Sequence, residues 1–270
     1  MDLLVVGAGE MGRWIGDLVD AAAYADVDPS TATAAAAGRD ARTVPVDGDE
    51  RFAAVCLAVP IPAMAAAVEA QAPRAERALL DVTGVMEPAV AAMREHAPDR
   101  ERLSLHPLFA PENAPGNVAA VPDEPGPITT AVRERVAAAG NEVFDTTPAE
   151  HDAAMGTVQA GAHAAVLAYA LAAEDVRPEF ATPVSARLDD LVATVTGGSP
   201  RVYREIQETF PGAADVADAA RRVAEAEGEA FERLYREARA GTAPRGDGAN
   251  AADGTRTAPE ETGSADPDDG

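Results

Sequence analysis

The stretch "LLVVGAGEMGRWIGDLV", Leu3 to Val19, constrains the fold more than any other part of the chain. Four apolar residues of strand character run into three glycines, Gly7, Gly9 and Gly12, and then into a helical pattern. Gly7 permits a tight turn, Gly9 lets the backbone come close to a bound pyrophosphate, and Gly12 lets helix and strand pack together. Glu10 and Met11, between the second and third glycines, fall on the first helical turn, where free backbone N–H groups favour a phosphate. The fingerprint gains force from its context: strand before, helix after, and an acid at the end of the second strand-like run. That acid, Asp26, stands where a carboxylate would accept the ribose hydroxyls of NAD and repel the extra phosphate of NADP. Asp28 is a rival for the role, although Asp-Pro more often opens a helix as its cap. "LAVPIPAM" ends a later strand, and its Val59 and Pro60 either cover the nicotinamide end of the cofactor or only shape a loop.

Strand-like runs then alternate with helical segments as far as about residue 145: Leu3 to Val6, Tyr24 to Val27, Ala53 to Val59, Ala78 to Val82, Leu103 to His106, Val118 to Val121 and Glu142 to Phe144, with a weak run near Thr43. The alternation predicts an α/β fold, a doubly wound, Rossmann-like and mainly parallel sheet over residues 1–147. From Pro148 the strand pattern vanishes. "TPAEHDAAMGTVQAGAHAAVLAYALAAED" reads as one long helix capped by Thr147, with further helices at Pro183 to Val195, Pro200 to Thr209 and Ala214 to Ala240. Residues 148–240 are therefore expected to form an all-helical domain. Residues 241–270 lack the aromatic and branched aliphatic residues that could order them and are expected to be a disordered acidic tail.

A net charge of −24 argues against a nucleic-acid partner, which needs a basic stripe. All 22 basic residues are arginine, a composition suited to molar salt, where a Debye length of about 3 Å screens self-repulsion. No run is apolar enough over about 20 residues to argue for a membrane span, and the N-terminus has no secretion signal, so a cytoplasmic protein is expected. The single cysteine, Cys56, lies in an apolar run and reads as a small buried hydrophobe. No grouping of His, Cys and carboxylates has metal-ligand spacing, and no metal is expected.

His106, in "LSLHPLFAPEN", ends a strand at the edge where open α/β sheets bind ligands. A dehydrogenase acting on an alcohol needs a base there, and histidine titrates in the right range. Three further stretches, "DVTGVMEP" at 81–88, "HDAAMGTVQAGAHAAVLAYAL" at 151–171 and "TPVSARLDDLVATVTGGSPRVYREI" at 182–206, complete a pattern that resembles the prephenate dehydrogenase family, with the composition of its salt-loving archaeal members. The resemblance covers nearly all of residues 1–235. It implies NAD-dependent oxidative decarboxylation of prephenate to 4-hydroxyphenylpyruvate, a step of tyrosine biosynthesis, by a homodimer, with residues 148–240 serving substrate binding and dimerisation. It makes His106 the catalytic base, Gln159 and His163 pocket residues, Arg187 the grip on a substrate carboxylate, and Tyr203 the aromatic that closes the pocket.

The chain departs from the family where a serine and a lysine are usual: it has Gly84 and Met86. The missing serine leaves the orientation of His106 open, and Thr83 is the nearest hydroxyl that could substitute. Arg187 could instead be a surface residue paired with Asp190, Arg201 and Arg204 read as surface residues, and His151 reads as a cap-region or interface residue as readily as a catalytic one. Arogenate or another small substrate, and a cofactor-binding regulator without turnover, stay open as alternatives.

Overall fold

A computed structural model describes residues 1–241, so all but the first residue of the expected tail lies outside the described residues. By internal contacts the chain divides into a unit of residues 1–219 and a unit of residues 220–270. The first holds the sheet and the helices down to α9 (Pro200–Thr209). The helical segment after residue 147 thus begins within the same unit as the sheet.

Eight strands form one sheet in the order β3-β2-β1-β4-β5-β6-β7-β8. They are β1 (Leu3–Val6), β2 (Ala23–Ala25), β3 (Arg42–Thr43), β4 (Phe52–Leu57), β5 (Ala75–Asp81), β6 (Glu101–Pro107), β7 (Asn117–Glu124) and β8 (Glu142–Asp145). All pairings are parallel except β6 with β7. The exception follows from chain length: only residues 108–116 separate the two strands, too few for the crossover that a parallel pair needs.

β1 shows why the runs read as continuous rather than alternating. Leu3 and Val5 enter one core with Ile15 and Val19 of α1 (Glu10–Val19) and with Val132 and Val136 of α5 (Pro127–Ala138). Leu4 and Val6 enter the other, with Met64 and Val68 of α3 (Met64–Gln71) and Val90 and Met93 of α4 (Glu87–His96). Helices thus cover both faces, and the central strands are apolar on both sides. On α1 the buried residues Gly12, Ile15, Gly16 and Val19 recur at helical spacing.

Two expected helices are each divided. The segment after Thr147 is α6 (Pro148–Met155), a π-helical turn (Gly156–Gly161) and α7 (Ala162–Ala172). The Cβ that Gly212 lacks would fall 2.0 Å from the Gly156 carbonyl oxygen, so the π turn lies hard against the Pro211–Gly212 backbone. The Gln207 side-chain amide donates to the Ala160 carbonyl, within this turn, at 2.9 Å. The segment expected from Ala214 to Ala240 is two helices, α10 (Ala213–Glu225) and α11 (Gly228–Gly241), and Gly228 holds a positive φ of 49° at the break. α8 (Pro183–Gly197) has the expected start and runs two residues longer. No described helix is long and apolar enough to cross a membrane.

Candidate active site

The glycine loop is tight on one side and open on the other. Gly7 has φ of 92°, and a Cβ there would fall 2.2 Å from the Ala58 carbonyl oxygen. A Cβ on Gly12 would fall 1.9 Å from the Gly7 carbonyl oxygen, so the turn closes directly onto α1. At Gly9 nothing lies within 4 Å of the Cβ position, and no side chain caps the helix that Gly9 begins. The loop therefore presents open backbone and free N–H groups to an anion. Glu10 is exposed, and Met11 packs against the core beside the sheet. Asp26 stands just past β2 with its two oxygens accepting from the Ala8 amide at 2.7 Å and the Asp28 amide at 2.9 Å, which fixes the carboxylate over the loop. Asp28 is committed elsewhere: it caps α2 (Pro29–Ala36) by accepting from the Ser30 amide. Val59 and Pro60 follow β4 half-buried, with Val59 against Gly7.

β6 carries His106 to the same edge of the sheet, where it is 8% exposed. Phe109, three residues on, meets Trp14 of α1 edge-on at 5.6 Å, which ties the end of β6 to the helix that begins at the glycine loop. His106 Nδ1 lies 2.8 Å from His151 Nε2. His151 Nδ1 lies 2.7 Å from Asp152 Oδ1. Asp152 in turn accepts from the Met86 and Glu87 amides, each at 2.9 Å, and so caps α4 from another element. Burial raises the Asp152 carboxyl, but His151 and these two amides outweigh it and hold the group below its usual range. Burial, with His151 next to it, pushes His106 down to about 3, so its imidazole is neutral at pH 7.

On the other side of His106 is Gly84. A Cβ there would stand 3.5 Å from His106 Nε2 and 3.5 Å from Ile61 Cδ1, so the glycine leaves that nitrogen uncovered. The Thr83 hydroxyl donates not to His106 but to Asp81, at 2.6 Å. The imidazole that orients His106 belongs to His151 instead. Asp81 is fully buried and burial raises it to about 6, only partly offset by the Thr83 hydroxyl and amide. A small apolar cluster of Val85, Met155, Ala160, Ile206 and Phe210, with Ile61 and Leu108 against it, lies around this group of loops and helices.

Among the pocket residues expected from the resemblance, His163 and Tyr203 come together, with ring centroids 4.8 Å apart. Gln159 lies in the π turn, and its Oε1 and the His163 Nδ1 are buried without a hydrogen-bond partner among the described residues. Burial lowers the His163 pKa. Arg187 is exposed on α8 and makes no ion pair with Asp190 or any other described acid, whereas Arg201 and Arg204 pair with Glu205 and Glu208 along α9. Cys56 is buried, and burial pushes its thiol up. A concavity of about 610 Å³ lies at the opposite edge of the sheet, beside Asp2, Ala22 and Arg39, and does not include His106. The sequence left His151 open between a cap-region, interface or catalytic role and gave Asp152 no role in the site. Their one signal was a His-Asp pair just past the first turn of a helix.

The sequence model of "Prephenate dehydrogenase, nucleotide-binding domain" matches residues 21–123. The 4-amino-4-deoxyprephenate dehydrogenase of Streptomyces pristinaespiralis is 34% identical, over 86% of this chain and 84% of that protein. Prephenate dehydrogenase from Aquifex aeolicus, crystallised with hydroxyphenyl propionate and NAD+, superposes with a TM-score of 0.64 at 17% identity, covering 89% of this chain and 96% of that one. Synechocystis arogenate dehydrogenase superposes with a TM-score of 0.60 at 18% identity, covering 90% and 99%. The structural likenesses establish the fold, and the relative at 34% identity over most of both chains establishes descent: this chain is an oxidoreductase of the prephenate dehydrogenase family.

Proposed function

We propose that this enzyme oxidises and decarboxylates prephenate to 4-hydroxyphenylpyruvate with NAD as the oxidant. The observation that carries the reading is His106: a neutral, buried imidazole at the nucleotide-binding edge of the sheet, with one nitrogen held by His151 and the other uncovered beside Gly84. Bound NAD would supply the hydride acceptor. The open face of Gly9 and the first turn of α1 fit its pyrophosphate, and the fixed Asp26 carboxylate fits its ribose and disfavours NADP. His106 Nε2 accepts the ring hydroxyl proton, and loss of the ring carboxylate as carbon dioxide aromatises the product. The polar atoms of Gln159 and His163, unmatched among the described residues, suit a polar substrate, and Arg187, exposed and in no ion pair with a described acid, suits one of its carboxylates. Residues 148–240 supply these groups, and a second copy of the chain covers α7, whose eleven residues are nearly all apolar and none of them buried.

A second reading, turnover of 4-amino-4-deoxyprephenate, draws on the Streptomyces relative and on Gly84, which sets no side-chain hydroxyl at the uncovered nitrogen. NADH formation in molar salt with prephenate, arogenate and 4-amino-4-deoxyprephenate side by side separates the substrates. His106→Asn should lower kcat about 100-fold or more on whichever is turned over, the scale for loss of a general base, while NAD affinity stays nearly intact. Undiminished kcat in that variant would remove His106 from the role.

A further inference from the structure

We propose that His151, backed by Asp152, is a positioning residue that selects the reactive tautomer of His106 and takes over the proton that His106 draws from the substrate. The inference rests on His106 being the base. It starts from Asp152, whose carboxylate can only accept: Oδ1 takes the Met86 amide and faces His151 Nδ1, and Oδ2 takes the Glu87 amide. His151 therefore carries its hydrogen on Nδ1, which leaves Nε2 as an acceptor. That acceptor lies 2.8 Å from His106 Nδ1, so in the neutral pair His106 is the donor and holds its own hydrogen on Nδ1. The lone pair of His106 is then on Nε2, the nitrogen beside Gly84. Two hydrogen bonds fix the one tautomer that can act as a base toward a substrate, without any hydroxyl from the Gly84 loop.

The same chain gives the proton a place to go. When the substrate O–H breaks and the His106 Nε2–H bond forms, the His106 Nδ1–H bond breaks and a His151 Nε2–H bond forms. Hydride loss and decarboxylation proceed as described above, and the positive charge ends on His151. The charged groups that face His151 are Asp152 from its own helix and Asp81 from β5, and His106 approaches it from β6. Charge on His106 itself is disfavoured by its burial, whereas His151 is in contact with a carboxylate that two helix N-terminal amides keep ionised.

Histidine 15N NMR of the wild-type protein with NAD in molar salt tests the tautomers directly, because the chain has only four histidines. At neutral pH two of them, assigned with His106→Asn and His151→Gln, should be protonated on Nδ1 and bare on Nε2. A His106 protonated on Nε2 overturns the proposal. In turnover, His151→Gln offers an oxygen that can still accept from His106 Nδ1 but cannot carry the proton onward. It should keep the His106 tautomer and the KM for substrate while kcat falls about 100-fold and the pH dependence of kcat changes. Wild-type kcat and an unchanged pH profile in His151→Gln would overturn the proton transfer. If the wild-type enzyme turns over none of the three substrates, the proposed function fails, and the tautomer measurement still decides this inference.

Discussion

Gly9 and Gly12 lie three residues apart in one loop, and adding the same methyl group to each should break different things. At Gly12 the new carbon would fall 1.9 Å from the Gly7 carbonyl oxygen, more than 1 Å inside the closest approach such atoms make, and 3.3 Å from Val5 Cγ1, a tight contact. The contact is with backbone, so α1 must lift off β1. Overpacking of this kind costs about 1–3 kcal/mol, and at roughly 2–4 °C per kcal/mol for a unit of this size Gly12→Ala should melt about 2–12 °C lower. At Gly9 the methyl meets nothing within 4 Å, and the backbone angles, φ −67° and ψ −165°, suit alanine. Its cost to the fold is the poorer helix cap, about 1 kcal/mol or less. Its cost to binding is larger, because the methyl occupies the space through which a pyrophosphate reaches the amides of α1. Losing one charge-assisted contact there, about 1.5–3 kcal/mol, weakens NAD binding roughly 10-fold to 150-fold. Thermal melts and NAD titrations followed by Trp14, the single tryptophan and a residue of α1, read both quantities. Wild-type NAD affinity in Gly9→Ala, or a wild-type melting temperature in Gly12→Ala, would show that the loop does not work in this way.

Asp26→Ser should weaken NAD binding and narrow the preference over NADP, and equal efficiency with the two cofactors in the unmodified enzyme would remove Asp26 from the ribose site. Arg187→Ala should raise KM for substrate about 10-fold to 150-fold with a much smaller change in kcat, since a grip equal in ground and transition states is lost; an unaltered KM excludes it. Asp81 gives a pH signature. A carboxyl raised in the fold to about 6 stabilises the protein fully below about pH 3.8 and loses that contribution as pH rises through about 6, so Asp81→Asn should gain on the wild type by up to about 3 kcal/mol between pH 4 and pH 7. Denaturant melts at the two pH values measure the gap, and a constant gap contradicts the burial argument.

The sheet was readable because its strands are apolar on both faces and its helices carry caps of recognisable chemistry. β1 matches residue for residue, and Asp28 caps α2 as its Asp-Pro pair suggests. The antiparallel β7 was implied only by the shortness of residues 108–116, and the π turn by nothing more than two glycines in an alanine-rich run. The glycine loop could be placed because all its parts are local. The partner of His106 could not, because His151 is 45 residues away and the sequence offers nothing to join them. Attention went instead to Thr83, near in sequence to the altered loop, whose hydroxyl is taken by a buried carboxyl that the strand pattern hides.

The π turn from Gly156 to Gly161 amounts to one residue too many in a helix, and that surplus sets the phase between its two ends. At about 100° per residue, a straight α-helix would put His163 roughly 120° around the axis from His151; with one residue taken up in the wide turn, the two come within about 20° of each other. The half of the helix that meets the sheet and the half that carries His163 and meets Tyr203 are thereby aligned by a count of residues, not by a bend. Removing one residue between Gly156 and Gly161 would let a plain α-helix keep that alignment, whereas straightening the turn with all its residues retained would carry His163 about 100° away from the side on which His151 meets His106.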